Sequence, residues 1–222
     1  MQALHILVVD DDDLVREAYR SFFWHRPEHR VVGEARDGEE AVQVFERLQP
    51  DVVLMDLQMP RLNGVEATAR IMTINPRACV VVLTTFGTRE HVVPALRAGA
   101  AGYLLKDSGA QALLVAIQQA LAGEMPLAPS VRRELVRSLS RAEDDHAEPG
   151  PQMSARELEL LGWLAHGLSN AEIAGRMYLS ESSVKQYLGS IGSRLGGSSR
   201  TQILMRSIQL GLVDPHRLPP LD

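Results

Sequence analysis

The sequence predicts two folds in series: a doubly wound α/β domain built on a five-stranded parallel sheet, then a small all-α domain. Three observations carry this prediction. Short apolar runs alternate with helix-spaced segments through the first 125 residues. A stretch with no large apolar side chain follows, Ala142 to Gln152. Every signal after it is helical.

The elements follow in order. Leu4 to Val9 is an apolar run, and helical spacing holds from Leu14 to Trp24. Val31 to Ala35 is a second strand and Gly38 to Leu48 a second helix. Asp51 to Asp56 encloses Val-Val-Leu-Met, with a helix from Val65 to Ile74. Ala78 to Thr84 is rich in β-branched residues and precedes a helix over Arg89 to Ala98. Gly102 to Leu105 is a short strand and Ala110 to Leu121 the last helix of the first domain. Continuous apolar strands joined by helices require a parallel sheet covered on both faces.

Beyond residue 125 the spacing predicts a helix over Ser130 to Leu139, then a flexible linker over 142–152. Ser154-x-x-Glu157 and Ser169-x-x-Glu172 fit the capping box, in which serine and glutamate each satisfy a free backbone N–H. Ser180 precedes a third helix as N-cap, and Gly167, Gly196 and Gly211 stand where helices stop. Helices are predicted over 155–165, 170–177, 181–195 and 200–210. The expected division is a first domain at 1–125, a linker at 126–152, and a helical domain at 153–222.

Composition narrows the function classes. The 222 residues are 45% hydrophobic and 23% charged, ordinary for a globular chain and unlike disordered or collagen-like sequences. No apolar stretch approaches the roughly 20 residues of a spanning helix, and Met1 to His5 carries no secretory pattern. The single cysteine, Cys79, lies in an apolar run and is expected to be a buried thiol. A cytoplasmic location without membrane contact is expected. Residues 1–125 carry 12 Lys+Arg against 17 Asp+Glu, whereas 153–213 carry 6 against 4. An acidic front and a mildly basic rear suggest different partners.

In such a sheet ligands bind at the carboxyl ends of the strands. Here those ends are Asp10 and Asp11, Asp56, Thr84 and Lys106. In strand order 2-1-3-4-5 the first and third strands are neighbours, so three carboxylates converge beside a hydroxyl and a lysine. Crowded anions need a cation, and hard oxygen donors suit Mg²⁺. Lys106 is the first of only two lysines in the chain; the other is Lys185.

These stretches resemble the receiver domain of two-component response regulators: Ile6-Leu-Val-Val-Asp-Asp11, Asp51-Val-Val-Leu-Met-Asp-Leu-Gln-Met-Pro60, Asn63-Gly64, Leu83-Thr84 and Gly99-Ala-Ala-Gly-Tyr-Leu-Leu-Lys106. The resemblance spans residues 4 to about 122 and implies a CheY-like fold. It implies that Asp56 accepts a phosphoryl group from a sensor histidine kinase, and that Asp10, Asp11, Asp56 and the backbone carbonyl of Gln58 hold Mg²⁺. Thr84 and Lys106 would bond the phosphoryl oxygens, with Tyr103 following the Thr84 hydroxyl as a switch. The sequence departs from many receivers in having Asp107, not proline, after Lys106, which leaves that peptide's geometry open. Asp11-Asp-Asp-Leu-Val15 also fits the D-x-D-x-[TV] motif of haloacid-dehalogenase-like phosphohydrolases. Those enzymes need a further acidic motif on a later strand, and only Asp107 follows Lys106.

In the 181–195 helix, Val184, Leu188, Ile191 and Leu195 form one buried stripe. The opposite face carries Ser182, Gln186, Gly189, Ser190 and Ser193, with Lys185 at its flank. Joined to the 170–177 helix by a short turn, it makes a helix-turn-helix candidate. Ser154-Ala-Arg-Glu157, Gly167-Leu-Ser-Asn-Ala-Glu-Ile-Ala174, Leu179-Ser-Glu-Ser-Ser-Val-Lys185 and Arg194-Leu195 resemble the LuxR-type DNA-binding domain. With the receiver, the whole chain is similar to the NarL/FixJ response regulators. The resemblance implies a transcription factor, not an enzyme, that dimerises on phosphorylation and binds double-stranded DNA through Ser182, Lys185, Gln186 and Gly189. A protein-interaction switch without DNA binding is the alternative. Gly189 and Gly192 inside the reading helix depart from expectation, since mid-helix glycine costs about 1 kcal/mol relative to alanine. Ile203, Leu204 and Ile208 offer a dimer surface.

Overall fold

The computed structural model describes residues 3–85, 89–127, 151–197, 199–214 and 218. The helix expected over 130–139 and most of the 142–152 linker lie outside the described residues. The strands are β1 (Leu4–Val9), β2 (His29–Ala35), β3 (Val52–Met55), β4 (Val80–Thr84) and β5 (Gly102–Leu105). They form one parallel sheet in the order β2-β1-β3-β4-β5. The helices between and after them are α1 (Asp13–Trp24), α2 (Gly38–Leu48), α3 (Gly64–Ile74), α4 (Arg89–Ala98) and α5 (Ala110–Leu121).

Alternation along each strand sorts the core into two layers. Ile6, Val8, Leu54, Val81 and Leu104 pack under α1 and α5, against Phe23, Leu113 and Ile117. Leu7, Val9, Val53, Met55 and Val80 pack under α2 and α3, against Phe45, Ala67 and Ile71. Strands buried on both faces explain why they read as unbroken apolar runs. Cys79 is a buried thiol whose pKa desolvation pushes up to about 12. Beyond α5, Leu127 bridges Tyr103 at the edge of β5.

The second unit consists of α6 (Ala155–Ala165), α7 (Asn170–Met177), α8 (Glu181–Leu195) and α9 (Arg200–Gln209). Both expected capping boxes form, and Ser199 with Gln202 makes a third. Gly167, Gly196 and Gly211 take the positive φ that ends a helix. The α8 stripe of Val184, Leu188, Ile191 and Leu195 is buried with Leu160, Leu164 and Ile173. Arg194 pairs with Glu157 and donates to the Gln152 carbonyl, tying the end of α8 to the start of α6. Arg200 donates to Asn170 Oδ1 at 2.6 Å and to the Leu168 carbonyl, locking α9 to the start of α7. Burial lowers its pKa to about 10, so it stays charged at neutral pH.

Ile203 and Leu204 do not form an exposed surface: they are 4% and 3% exposed, inside the helical core. The apolar periodicity of α9 was legible, but a buried stripe does not reveal what buries it. Met205 packs away from that core. It joins Val92, Leu96 and Tyr103 of the α/β unit and Leu127 just beyond it, with Ile208 alongside. Gly99, at φ 109°, allows this approach: a Cβ there would lie 2.8 Å from Gln202 Nε2.

Met205 is the buried apolar α9 side chain that belongs to the cluster on the α/β side alone, so Met205→Asp should undock the units without breaking either core. Burying an unpaired carboxylate is prohibitive. Small-angle scattering should show a radius of gyration several ångströms above the roughly 17 Å of a compact chain of this length. An unchanged radius would place the docking elsewhere.

Candidate functional site

The strand ends bring the acidic residues together. Beyond β1, the Asp10 N–H donates to the Ala35 carbonyl at 3.1 Å; beyond β3, the Asp56 N–H donates to the Val9 carbonyl at 2.9 Å. The ladder thus holds both aspartates one residue past the sheet. Carboxylate oxygens of Asp10, Asp11 and Asp56 lie within 4.8 Å of one another. Asp10 and Asp56 are buried and Asp11 is exposed. Lys106 stands just after β5 and bridges the two buried acids, its Nζ 2.7 Å from Asp10 Oδ2 and 3.3 Å from Asp56 Oδ1.

The neighbouring aspartates do structural work. Asp12 caps α1 by accepting from the Leu14 N–H at 2.9 Å. Asp13 is exposed and pairs with Arg16. A D-x-D phosphohydrolase centre needs Asp11 and Asp13 to converge, and they do not: Asp13 stands outside the cluster.

The electrostatics follow from this packing. Burial raises the Asp56 pKa, and Asp10 adds to it, against the lowering effect of Lys106. For Lys106, burial works to lower the pKa, but the hydrogen bond to Asp10 and the charges of Asp56 and Asp10 outweigh it. The lysine remains firmly protonated. The cluster therefore carries more negative than positive charge in a partly desolvated place. Three convergent carboxylates with a deficit of cation fit a hard divalent ion.

Thr84 ends β4 and is buried. Tyr103 is fully buried in the cluster that holds Met205. Burial first, and the Asp56 charge second, hold its phenol well above the usual range. Gln58 turns its side chain to His91 of α4, Nε2 to Nε2 at 3.2 Å. The Lys106–Asp107 peptide is trans and begins a 3₁₀ turn over Lys106–Ser108.

One residue, and the reason for another, escaped sequence reasoning. His91 gave no signal, because helical spacing does not say which loop α4 faces. Gly64 was visible as part of Asn63-Gly64, but its reason is geometric. A Cβ at Gly64 would lie 1.9 Å from the Asp56 carbonyl oxygen, while the Gly64 N–H donates to the Leu57 carbonyl at 3.0 Å.

On the helical unit, Ser182, Lys185, Gln186 and Gly189 are all exposed on one side of α8. The Ser182 hydroxyl is 2.8 Å from that of Ser180, the N-cap. The two departures in this helix differ in kind. Gly192 is buried, and a Cβ there would lie 2.5 Å from the Gly197 carbonyl oxygen. Gly189 has open space where its Cβ would be.

Comparison with known proteins supports both units. A model described as the response regulator receiver domain matches residues 6–118. One described as bacterial regulatory proteins, luxR family, matches residues 151–207. The chain is 38% identical over 212 residues to the uncharacterized transcriptional regulatory protein YxjL of Bacillus subtilis, covering 95% of this chain and 97% of that protein. It is 36% identical over 197 residues to the nitrate/nitrite response regulator protein NarL of Escherichia coli, covering 89% and 91%. Among solved structures, the response regulator ChrA of a heme-sensing two-component system is similar at 34% identity. That match has a TM-score of 0.53 and covers 96% of this chain and 100% of that one.

The contact at Gly64 has a measurable cost. Gly64→Ala forces the carbonyl after β3 to move, and overpacking of this kind costs about 1–3 kcal/mol. Urea unfolding should show that loss in the receiver transition, whereas Gly189→Ala, with open space, should gain or lose under about 1 kcal/mol. Equal stability of Gly64→Ala and wild type would remove the steric role.

Proposed function

Because this chain belongs to the two-component response regulators that join a receiver domain to a LuxR-type DNA-binding domain, we propose that Asp56 is its phosphoryl acceptor and α8 its DNA-reading helix. Residues 1–125 act as receiver and 153–222 as DNA-binding unit. The observation that carries this reading is the pairing of Lys106 with both buried aspartates in a cluster still short of positive charge.

An Asp56 carboxylate oxygen attacks the phosphorus of a phosphohistidine on the sensor kinase. The new P–O bond forms as the P–N bond breaks, and imidazole leaves with the kinase. Lys106 is held within reach of Asp56 and neutralises charge on the transferring oxygens, which is most of what catalysis of phosphoryl transfer requires. The Thr84 hydroxyl donates to a phosphoryl oxygen. Asp10, Asp11, Asp56 and the Gln58 carbonyl are the residues that would hold Mg²⁺; when bound, it supplies the remaining positive charge. The chain's chemistry is confined to its own acyl phosphate.

Phosphorylation adds roughly −1 to −2 of charge beside Lys106 and Thr84. Tyr103 lies on β5, the strand that leads into Lys106, and shares its apolar cluster with Met205 and Ile208 of α9. A rearrangement at Thr84 and Tyr103 is thereby felt where the two units dock. Release of the helical unit frees it to pair with a second copy on DNA. Two copies reading half-sites related by two-fold symmetry give specificity that a weakly basic domain lacks. Lys185 is suited to guanine or phosphate and Gln186 to adenine. Ser182 and Gly189 lie beside them on the same side of α8. No helix among the described residues is long and apolar enough to cross a membrane.

Acetyl phosphate should add one phosphoryl mass to wild type only with Mg²⁺ present, and none to Asp56→Asn. Equal labelling of both proteins overturns the acceptor assignment. Lys106→Ala should keep the fold while phosphorylation no longer changes dimerisation or DNA binding.

DNA titrations test the second half. Lys185→Ala should weaken the best site by about 1–3 kcal/mol, Gln186→Ala should relax base preference, and Gly189→Lys should strengthen binding to all duplexes. Six Lys+Arg in residues 153–213 limit a dimer to a log-affinity against log-salt slope shallower than about −10. If all three variants match wild type on specific and scrambled duplexes, α8 does not read DNA.

A further inference from the structure

We propose that the cleft between the receiver and α8 is a binding site for a small polyanion of the di- or triphosphate class, which bridges the two units. The cleft has a volume of about 970 Å³, the scale of a small-ligand site and far too small for a duplex. Its charged lining residues among the described residues are Arg77 and Arg97 from the receiver and Lys185 and Arg200 from the helical unit; no Asp or Glu among them lines it. That runs against the composition, since the chain carries 28 acidic residues to 23 basic ones.

The four cations are not equally committed. Arg200 is buried and bonded to Asn170 and the Leu168 carbonyl. Glu124 and Glu172 act on it electrostatically but neither lines the cleft. With its side-chain amide turned to suit, Gln209 accepts from Arg97 at 3.2–3.3 Å. Arg77 and Lys185 have no side-chain hydrogen bond or ion pair among the described residues. They stand on different walls, one on each unit. The receiver wall also includes the ends of α3, α4 and α5, whose carbonyls carry partial negative charge of about half a unit per helix. Full charges on four side chains outweigh it. Guanidinium groups favour the bidentate geometry of phosphate, and charges on both walls require a ligand with several.

Such a ligand binds the docked arrangement and not the separated units, so it shifts the population toward docking. It also occupies Lys185. Competition with DNA therefore rests on the proposed reading of α8, whereas binding to the cleft does not.

The test uses the full chain without Mg²⁺, titrated with inorganic tripolyphosphate in a calorimeter at constant ionic strength. One tripolyphosphate should bind per chain. Arg77→Ala and Lys185→Ala should each weaken it by about tenfold, the loss of one charge-assisted contact. Arg30→Ala, an exposed arginine on β2 outside the cleft, should leave it unchanged. With tripolyphosphate at ten times its dissociation constant, the apparent DNA affinity of wild type should fall by about tenfold, and that of Arg77→Ala by about twofold. No saturable heat, or equal weakening by Arg30→Ala and Arg77→Ala, overturns the site. Binding that follows the Arg77 and Lys185 pattern while DNA affinity stays unchanged upholds the site and overturns the reading of α8.

Discussion

The structure depends on one electrostatic constraint: three carboxylates converge at the end of a parallel sheet with a single lysine among them. Buried like charges are costly unless paired, and removing the partner of a buried charge costs more than the pair contributes. Lys106 bonds Asp10 more closely than Asp56. Burial first, and the Asp10 charge with it, raise the Asp56 pKa against the pull of Lys106. The same shortfall that makes the site expensive makes it receptive to a cation and a phosphoryl group. Charge deficit, not any unusual nucleophile, is the chemical resource of this pocket.

The fold exists around that pocket in a specific sense. The parallel ladder runs one residue beyond β1 and β3 through the Asp10 and Asp56 amides, so the acids take their positions from backbone bonds, not from loop conformation. Gly64 lets the chain double back against the Asp56 carbonyl. Arg16 adds a further tie, donating to the Asp10 carbonyl. A group positioned by a sheet is held more tightly than one on a loop, which suits a reaction that consists mostly of alignment.

Much of this was legible in the sequence, for reasons that differ by residue. Strands buried on both faces advertise themselves as apolar runs, and strand ends locate Asp10, Asp56, Thr84 and Lys106 without coordinates. Capping boxes at Ser154 and Ser169 announce helix starts because the residues that satisfy the free N–H groups are local. The Gln58–His91 contact was not legible, because it joins segments 33 residues apart with no periodic signal. Nor was the destination of α9. Its apolar spacing suggested a free surface, yet Ile203 and Leu204 fill the core of their own unit while Met205 enters the receiver. Periodicity reports that a face is buried and leaves the partner unnamed.

The two glycines of α8 show how far a local rule extends. Both carry the same helix penalty, and the sequence treats them alike. Gly192 is required by the close return of the Gly197 carbonyl, so its cost is offset by packing at the helix end. Gly189 meets nothing and gains nothing from the fold. A residue that weakens a helix without helping it pack is explained by what the helix must approach. Gly189 and Lys185 both line the cleft, a bare surface beside a positive charge one turn away. That combination suits close contact with an anionic surface, whether the phosphates of a duplex when the units separate or a small polyphosphate when they are docked.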